Sequence, residues 1–482
     1  MVDSRPARGR LVRVYAALVG VPVIALFAIL RVGENLSAGI ATSSAADAAV
    51  AAPPALLSGL PLLLTQIIVI LIAARVVGLI VRRLGQPQVV GEMLAGIALG
   101  PSILGAYAPS VSGVLFPPGS LGFLNALSQV GLLVFMFLVG LELDPKHVRE
   151  RGRAAVVISH ASIVAPFLLG AMLALLLYPT LAGERVTFTA FALFMGAAMS
   201  VTAFPVLARI LSERRLLRTP TGALAIACAA IDDVSAWCIL AVVVVIARAS
   251  GATAPAGGLP LWATLGGSIA YAALMMTVGH RLLCRLEERY KRVGRVTQDM
   301  IAVLMVTMLA SALVTEWLGV HALFGAFIAG AASPKAEGFV HAILERFEDV
   351  MVVLLLPLFF AFTGLRTEIT LISGSAEWLI CALIIAVAVA GKLGGSALAA
   401  RSMSIPWREA AVLGILLNTR GLMELVILNV GLDIGVISRE LFAMMVIMAL
   451  ATTLMTTPLV AWLAPSAVAS AVDARVAASH SA

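Results

Sequence analysis

ALAIACAAIDDVSAWCILAVVVVI, residues 223–246, is an apolar stretch long enough to cross a bilayer as a helix, with two adjacent carboxylates, Asp232 and Asp233, near its middle. A helical span needs about 20 predominantly apolar residues. An ionisable group at that depth costs several kcal/mol unless it is paired or hydrated. Neighbouring residues on a helix point about 100° apart, so both acids can border one cavity without sharing one rotamer path. Two anions in a low dielectric cannot both stay charged cheaply, and a proton and a desolvated cation then compete for the pair. The plain alternative is a structural acid pair, an expensive device at mid-membrane.

The composition agrees with lipid as solvent. The 482 residues are 61% apolar and only 12% charged, with a mean hydropathy of +1.05. A soluble domain carries about 25% charged residues. Apolar runs fall at 11–31, 59–81, 86–105, 121–142, 154–178, 187–211, 221–248, 260–283, 297–316, 319–333, 348–366, 377–399, 407–432 and 438–464. The run at 319–333 is short for a span. No apolar/polar alternation of period two appears, which removes a β-barrel. The expected fold is an all-α polytopic membrane protein of about 13–14 helices. Its divisions are an N-terminal helix or signal-like segment with a linker (1–58), a transmembrane domain (59–464) and a short tail (465–482). The tail leaves no room for a fused regulatory domain. The four cysteines, Cys228, Cys238, Cys284 and Cys381, show no metal-binding spacing and imply no disulfide framework.

The net charge of +7 does not point to nucleic acid, because the basic residues sit in short loops without interleaved aromatics. One alternate set of loops holds Arg82 and Arg83, Lys146 to Arg153, Arg209 to Arg218, Arg281 to Arg295, Lys335 and Arg346, and Arg401 and Arg408; the other holds little beyond Arg185 and Arg439. The basic set is read as cytoplasmic, and both termini fall on that side if the first helix is retained. That first run has two readings, a signal peptide with small residues around Ala45–Ala52 or a retained helix; its length favours the helix.

Two more places carry groups foreign to lipid. Lys392 lies deep in the run 377–399, too far from either end to snorkel, and its natural counter-ion is Asp232 or Asp233. A span shifted toward the cytoplasmic face is the alternative. In LNTRGLMELVILN (417–429), Arg420 and Glu424 are i,i+4 neighbours able to neutralise one another, and Gly421 beside polar residues marks a break. A second break is expected in MSVTAFPV (199–206), at Ser200, Thr202 and Pro205; ordinary helix–helix hydrogen bonding is the plain reading of Ser200 and Thr202. The triplets 154–248 and 377–464 each have a broken middle helix and start seven spans apart. An odd offset makes them inverted repeats. Glu92 and Asp433 are read as interfacial, His321 as structural, and Phe359, Phe360 and Phe362 as packing.

The stretches GEMLAGIALGPSILG (91–105), GLLVFMFLVGLELD (131–144), MSVTAFPVLARIL (199–211), AIDDVSAW (230–237), HALFGAFIAG (321–330), LPLFFAFTGL (356–365) and LNTRGLMELVILNVGLD (417–433) resemble, in order, the monovalent cation:proton antiporter-2 family. The resemblance runs from about 60 to 464. It implies a homodimer of inverted repeats with two crossing discontinuous helices and an elevator-like exchange of Na+ or K+ for protons. It makes Asp233 the carboxylate that binds the monovalent cation and the proton, and Asp232 the preceding acid that electrogenic members pair with a lysine, here Lys392. Thr202 and Thr419 match positions in the crossing helices. The first span has no counterpart, and no cofactor is implied. A symporter or organic-anion carrier on a related fold is the alternative. An intramembrane aspartyl protease does not fit, since GxGD is absent, and no enzyme is expected.

Overall fold

The computed structural model describes residues 13–36, 59–142, 152–183, 186–213, 216, 219–250 and 261–463. The expectations for the linker, for Ala45–Ala52, for the loop at 143–151 and for the tail lie outside the described residues. Everything described is helical apart from turns and one isolated bridge, Ala182 to Ile437.

Eleven helices are long and apolar enough to cross a membrane. In chain order, with the shorter helices that matter, they are α1 (Arg13–Gly33), α2 (Leu60–Arg83), α3 (Gln88–Gly105), α4 (Leu121–Glu142), α5 (Gly152–Leu181), α6 (Phe188–Ser200), α7 (Phe204–Glu213), α8 (Pro220–Ser250), α9 (Trp262–Val293), α10 (Gln298–Trp317), α11 (Ala322–Ala332), α12 (Met351–Leu371), α13 (Ser375–Ser402), α14 (Trp407–Leu417), α15 (Leu422–Asp433) and α16 (Arg439–Leu463). The runs at 187–211 and 407–432 are each two helices, α6–α7 and α14–α15, so each counts as one interrupted crossing. The run at 319–333 is α11. At about 1.5 Å per residue its 11 residues reach about 16 Å, half the hydrocarbon thickness.

The helices pack as two bodies. One, the scaffold, joins α2, α3, α4, α10, α11 and α12, with α9 alongside α11. Its close approaches are made by glycine. A Cβ on Gly140 would lie 2.2 Å from the Phe327 carbonyl oxygen, and one on Gly330 would lie 2.0 Å from that of Phe137. So α4 and α11 press backbone to backbone, as small-residue interfaces in lipid do. The glycines of 91–105 do the same, with Gly96 against Gly364 of α12.

The second body, the core, holds α5–α8 and α13–α16, the two triplets set apart by their spacing. The helix α1 lies against α5, where the Tyr15 hydroxyl meets His160 Nδ1 at 2.8 Å. Between the bodies, Trp237 of α8 packs edge-on to Phe324 and stacks on Phe327 of α11. Phe359, Phe360 and Phe362 are buried packing groups and His321 caps α11, as expected. Glu92, near the start of its span, is 5% exposed and accepts from Gln88 Nε2 at 3.0 Å, because α3 is enclosed between α2 and α12. Asp433 does end its helix, but it is ion-paired with Arg366 at 2.7 Å.

Candidate functional site

The two interruptions meet inside the core. Chain leaves helical geometry at Val201, whose ψ is 143°, and resumes it at Phe204. Pro205 sits in the first turn of α7, where its missing N–H is not needed. The second stretch runs from Asn418 to Gly421. They are tied together: the Ala203 N–H donates to the Thr419 carbonyl at 2.9 Å, and Thr202 Oγ1 lies 3.2 Å from the Leu417 carbonyl. This crossing of two discontinuous helices is the one that the resemblance implied.

Each interrupted helix exposes backbone groups that have lost their partners, with partial negative charge at the end of α6 and α14 and partial positive charge at the start of α7 and α15. Cations fill the end of α6. Arg420 Nη1 donates to the Ala198 carbonyl at 3.0 Å and Nη2 to that of Met199 at 2.6 Å. Lys392 Nζ donates to the next carbonyl, Ser200. Arg420 also holds Glu424 at 2.6 Å, the i,i+4 pair expected from the sequence. All three charged residues are buried, and the Arg420 carbonyl in turn accepts from Thr453 Oγ1 at 2.6 Å.

Lys392 stands on a single π-helical turn of α13, Ala390–Gly394, a local widening frequent at functional sites. Its side chain is fully buried. Its counter-ion is Asp232, with Nζ to Oδ2 at 3.2 Å. Asp232 is saturated. Ser159 donates to Oδ1, Ser162 to Oδ2 at 2.9 Å, and Thr202 to Oδ2 at 2.8 Å. Ser159 and Ser162 were not singled out in the sequence. They are three residues apart on one face of α5, and α5 is the repeat counterpart of α13, which supplies the lysine from the other side.

Asp233 is placed differently. It is 5% exposed and receives the Phe204 N–H at the start of α7, yet its Oδ1 has no protein partner. Two other acceptors of the second interruption, Asn418 Oδ1 and Thr419 Oγ1, are also buried and unpartnered. Ser200 uses its hydroxyl on the Ala197 carbonyl at 2.9 Å; only its backbone oxygen joins the network. Of the sequence-derived residues, then, Asp232, Lys392, Thr202, Ser200, Arg420 and Glu424 form one connected network. Asp233 and Thr419 border it with free oxygen atoms. Among the described residues no cluster of three or more histidine, cysteine or acidic side chains suits a transition metal.

The family model described as "Sodium/hydrogen exchanger, transmembrane" matches residues 67–464. The chain belongs to that family. The match covers every helix of the two triplets and leaves α1 outside. Among relatives, this exchanger-family chain is 43% identical over 406 residues to the Na(+)/H(+) antiporter NhaS4 of a Synechocystis strain, covering 84% of this chain and 98% of that one. It is 40% identical over 401 residues to Cation/H(+) antiporter 17 of Arabidopsis thaliana, and 34% identical over 409 residues to K(+)/H(+) antiporter 1 of Saccharomyces cerevisiae. In both those cases the match spans 83% of this chain but only about half of the relative, 48% and 46%. The fold is that of the sodium proton antiporter MjNhaP1 from Methanocaldococcus jannaschii, with a TM-score of 0.59 at 15% identity over 84% of this exchanger-family chain and 99% of the other.

Proposed function

We propose that this chain is a secondary active transporter that exchanges a monovalent cation, Na+ or K+, for protons by alternating access, with Asp233 as the carrying carboxylate. The observation that carries the reading is the contrast within the acid pair. Asp232 is fully engaged by three hydroxyls and a lysine, whereas Asp233 beside it keeps a buried oxygen without a protein partner. A proton or a desolvated cation would complete that oxygen, one excluding the other.

Coupling follows from one penalty. With Asp233 neutralised by either ligand, the core can move past the scaffold. With Asp233 empty and charged, burial of the carboxylate is too costly for the movement to occur. A proton gradient would then drive cation efflux. The Asp232–Lys392 pair would break and form in step, moving a second proton, so exchange is proposed as electrogenic and elevator-like, in a homodimer in the cell membrane with both termini cytoplasmic. Family membership and the names of the relatives support cation–proton exchange.

The test is the decay of an imposed pH gradient in proteoliposomes on addition of sodium or potassium salts, for the parent chain and for Asp233→Asn. Cation-dependent decay abolished by the substitution supports exchange and names the ion. A folded, reconstituted protein with which neither salt collapses the gradient defeats the proposal and turns the search to an organic anion.

A further inference from the structure

The ion pairs that join core to scaffold among the described residues lie at one face. Arg248, in the last turn of α8 in the core, pairs with Glu316 near the end of α10 in the scaffold at 3.1 Å, and its Nη1 reaches the Gly319 carbonyl at 3.4 Å. Arg366, which ends the helical part of α12 in the scaffold, pairs with Asp433, the last residue of α15 in the core, at 2.7 Å. A second bond runs alongside: Arg366 Nη1 donates to Asn429 Oδ1 at 3.0 Å, and Asn429 Nδ2 donates to Thr363 Oγ1 at 2.9 Å. The other ion pairs described, such as Lys392–Asp232 and Arg289–Asp299, stay within one body. By chain direction all four partners sit at the face opposite the basic loops.

The Arg366–Asp433 pair lines a cleft between the bodies. Its walls include Asn125, Ser128 and Gln129 of α4, His321 at the start of α11, and Arg366 and Asp433 themselves. Ser128 Oγ is buried there without a protein partner. Glu316 reaches the cleft's edge, since its Oε2 accepts the Ala322 N–H at 2.8 Å. The scaffold side of the latch is therefore fastened to the start of α11, the helix on which Trp237 of the core packs.

We infer that Arg366–Asp433 and Arg248–Glu316 form the closing latch of the face opposite the basic loops, and that both pairs part each time the site opens to that face. Arg366 and Asp433 are thus positioning residues for the transport cycle and do not touch the transported ion. The latch rests on the alternating-access reading above. A surface ion pair of two partly exposed groups is weak enough to break in every cycle. The hydrogen-bonded asparagine fixes where it re-forms.

The test uses the full-length chain with Arg366→Cys and Asp433→Cys, in a background with the exposed Cys238 replaced by alanine. Joining the two thiols with a short reducible crosslinker should lower cation-driven exchange in proteoliposomes at least about tenfold, and reductant should restore it. Undiminished exchange through quantitatively crosslinked protein would overturn the latch. A second arm needs no transport. Arg366→Gln should let a membrane-impermeant thiol reagent, added at the face opposite the basic loops, label a cysteine placed by Asn125→Cys several-fold faster than in the chain with Arg366 intact. Equal labelling also overturns the latch. If the parent chain, with Arg366 and Asp433 intact, shows no exchange, the antiporter reading falls, and the labelling arm still decides the latch.

Discussion

Thr202 donates its hydroxyl to Asp232 Oδ2 at 2.8 Å from the unwound stretch between α6 and α7. The bond joins an interrupted helix to the acid pair of an uninterrupted one. It makes the shape of the crossing depend on the charge of α8. Ser159 and Ser162 anchor the same carboxylate from α5, so three helices of the first triplet converge on one acid, and Lys392 brings in the second triplet.

Removing the lysine alone should be costly. Lys392→Met leaves Asp232 as a buried charge without its counter-ion, a change that costs about 3–5 kcal/mol. Thermal unfolding of the detergent-solubilised protein should show a clear drop in midpoint. Adding Asp232→Asn should recover most of it, because the neutral amide leaves no buried charge, and its oxygen can accept from hydroxyls on one side while its NH2 donates to those on the other. A double variant no more stable than Lys392→Met alone would show that the pair is not what the lysine stabilises.

The same double variant separates charge movement from exchange. With Asp233 intact, cation–proton exchange should persist in the Lys392→Met, Asp232→Asn protein. Its rate should no longer respond to an imposed membrane voltage, whereas the parent chain's should. The comparison is made in proteoliposomes clamped with an ionophore for an ion that is not transported. Equal voltage sensitivity in the two proteins would remove the Asp232–Lys392 pair from the coupling scheme.

Arg420 should not tolerate lysine. Its guanidinium serves Ala198, Met199 and Glu424 through two nitrogens in a fixed plane, a fork that a single ammonium cannot reproduce. Arg420→Lys should lose at least one charge-assisted bond, worth about 1.5–3 kcal/mol. Both the unfolding midpoint and the exchange rate should fall. Retention of both by the lysine variant would mean that charge alone suffices at the end of α6.

Two glycines of α4 give an internal control for the scaffold. A methyl group on Gly140 would sit 2.2 Å from the Phe327 carbonyl, whereas one on Gly122 would meet nothing within 4 Å. Gly140→Ala should therefore destabilise by about 1–3 kcal/mol through forced separation of α4 and α11. Gly122→Ala should be neutral or slightly stabilising. Unfolding in detergent compares the two directly, and equal midpoints would contradict the backbone-to-backbone contact.

Much of this architecture was legible in the chain because lipid is an unforgiving solvent. Apolar runs and basic loops marked the crossings, and the charges that broke the runs, Asp232, Asp233, Lys392, Arg420 and Glu424, fall in or beside one buried network. The hydroxyls were harder to read. Ser159 and Ser162 sit in an apolar helix where serine ordinarily bonds its own backbone, and only the repeat symmetry pointing α5 and α13 at the same place distinguishes them. The burial of Glu92 between α2 and α12 depends on packing that a position near a span start does not reveal. Arg366 carried no signal either. Its meaning comes from facing Asp433 on the other body, a relation between residues 67 positions apart.

The three carbonyls at the end of α6 are held by Arg420 and Lys392, and that has a consequence for selectivity. An alkali ion gives up its hydration shell only where other oxygens replace it. Peptide oxygens already bonded to nitrogen cations have part of their acceptor capacity taken up, so these three carbonyls are weaker replacements for water than free ones. On the reading proposed here, a replacement oxygen comes from a side chain, the unpartnered carboxylate oxygen of Asp233. Side-chain oxygens adjust through their rotamers to ions of different radius. Preference for one alkali ion over another would then be tuned by small substitutions around Asp233 while the crossing backbone stays fixed.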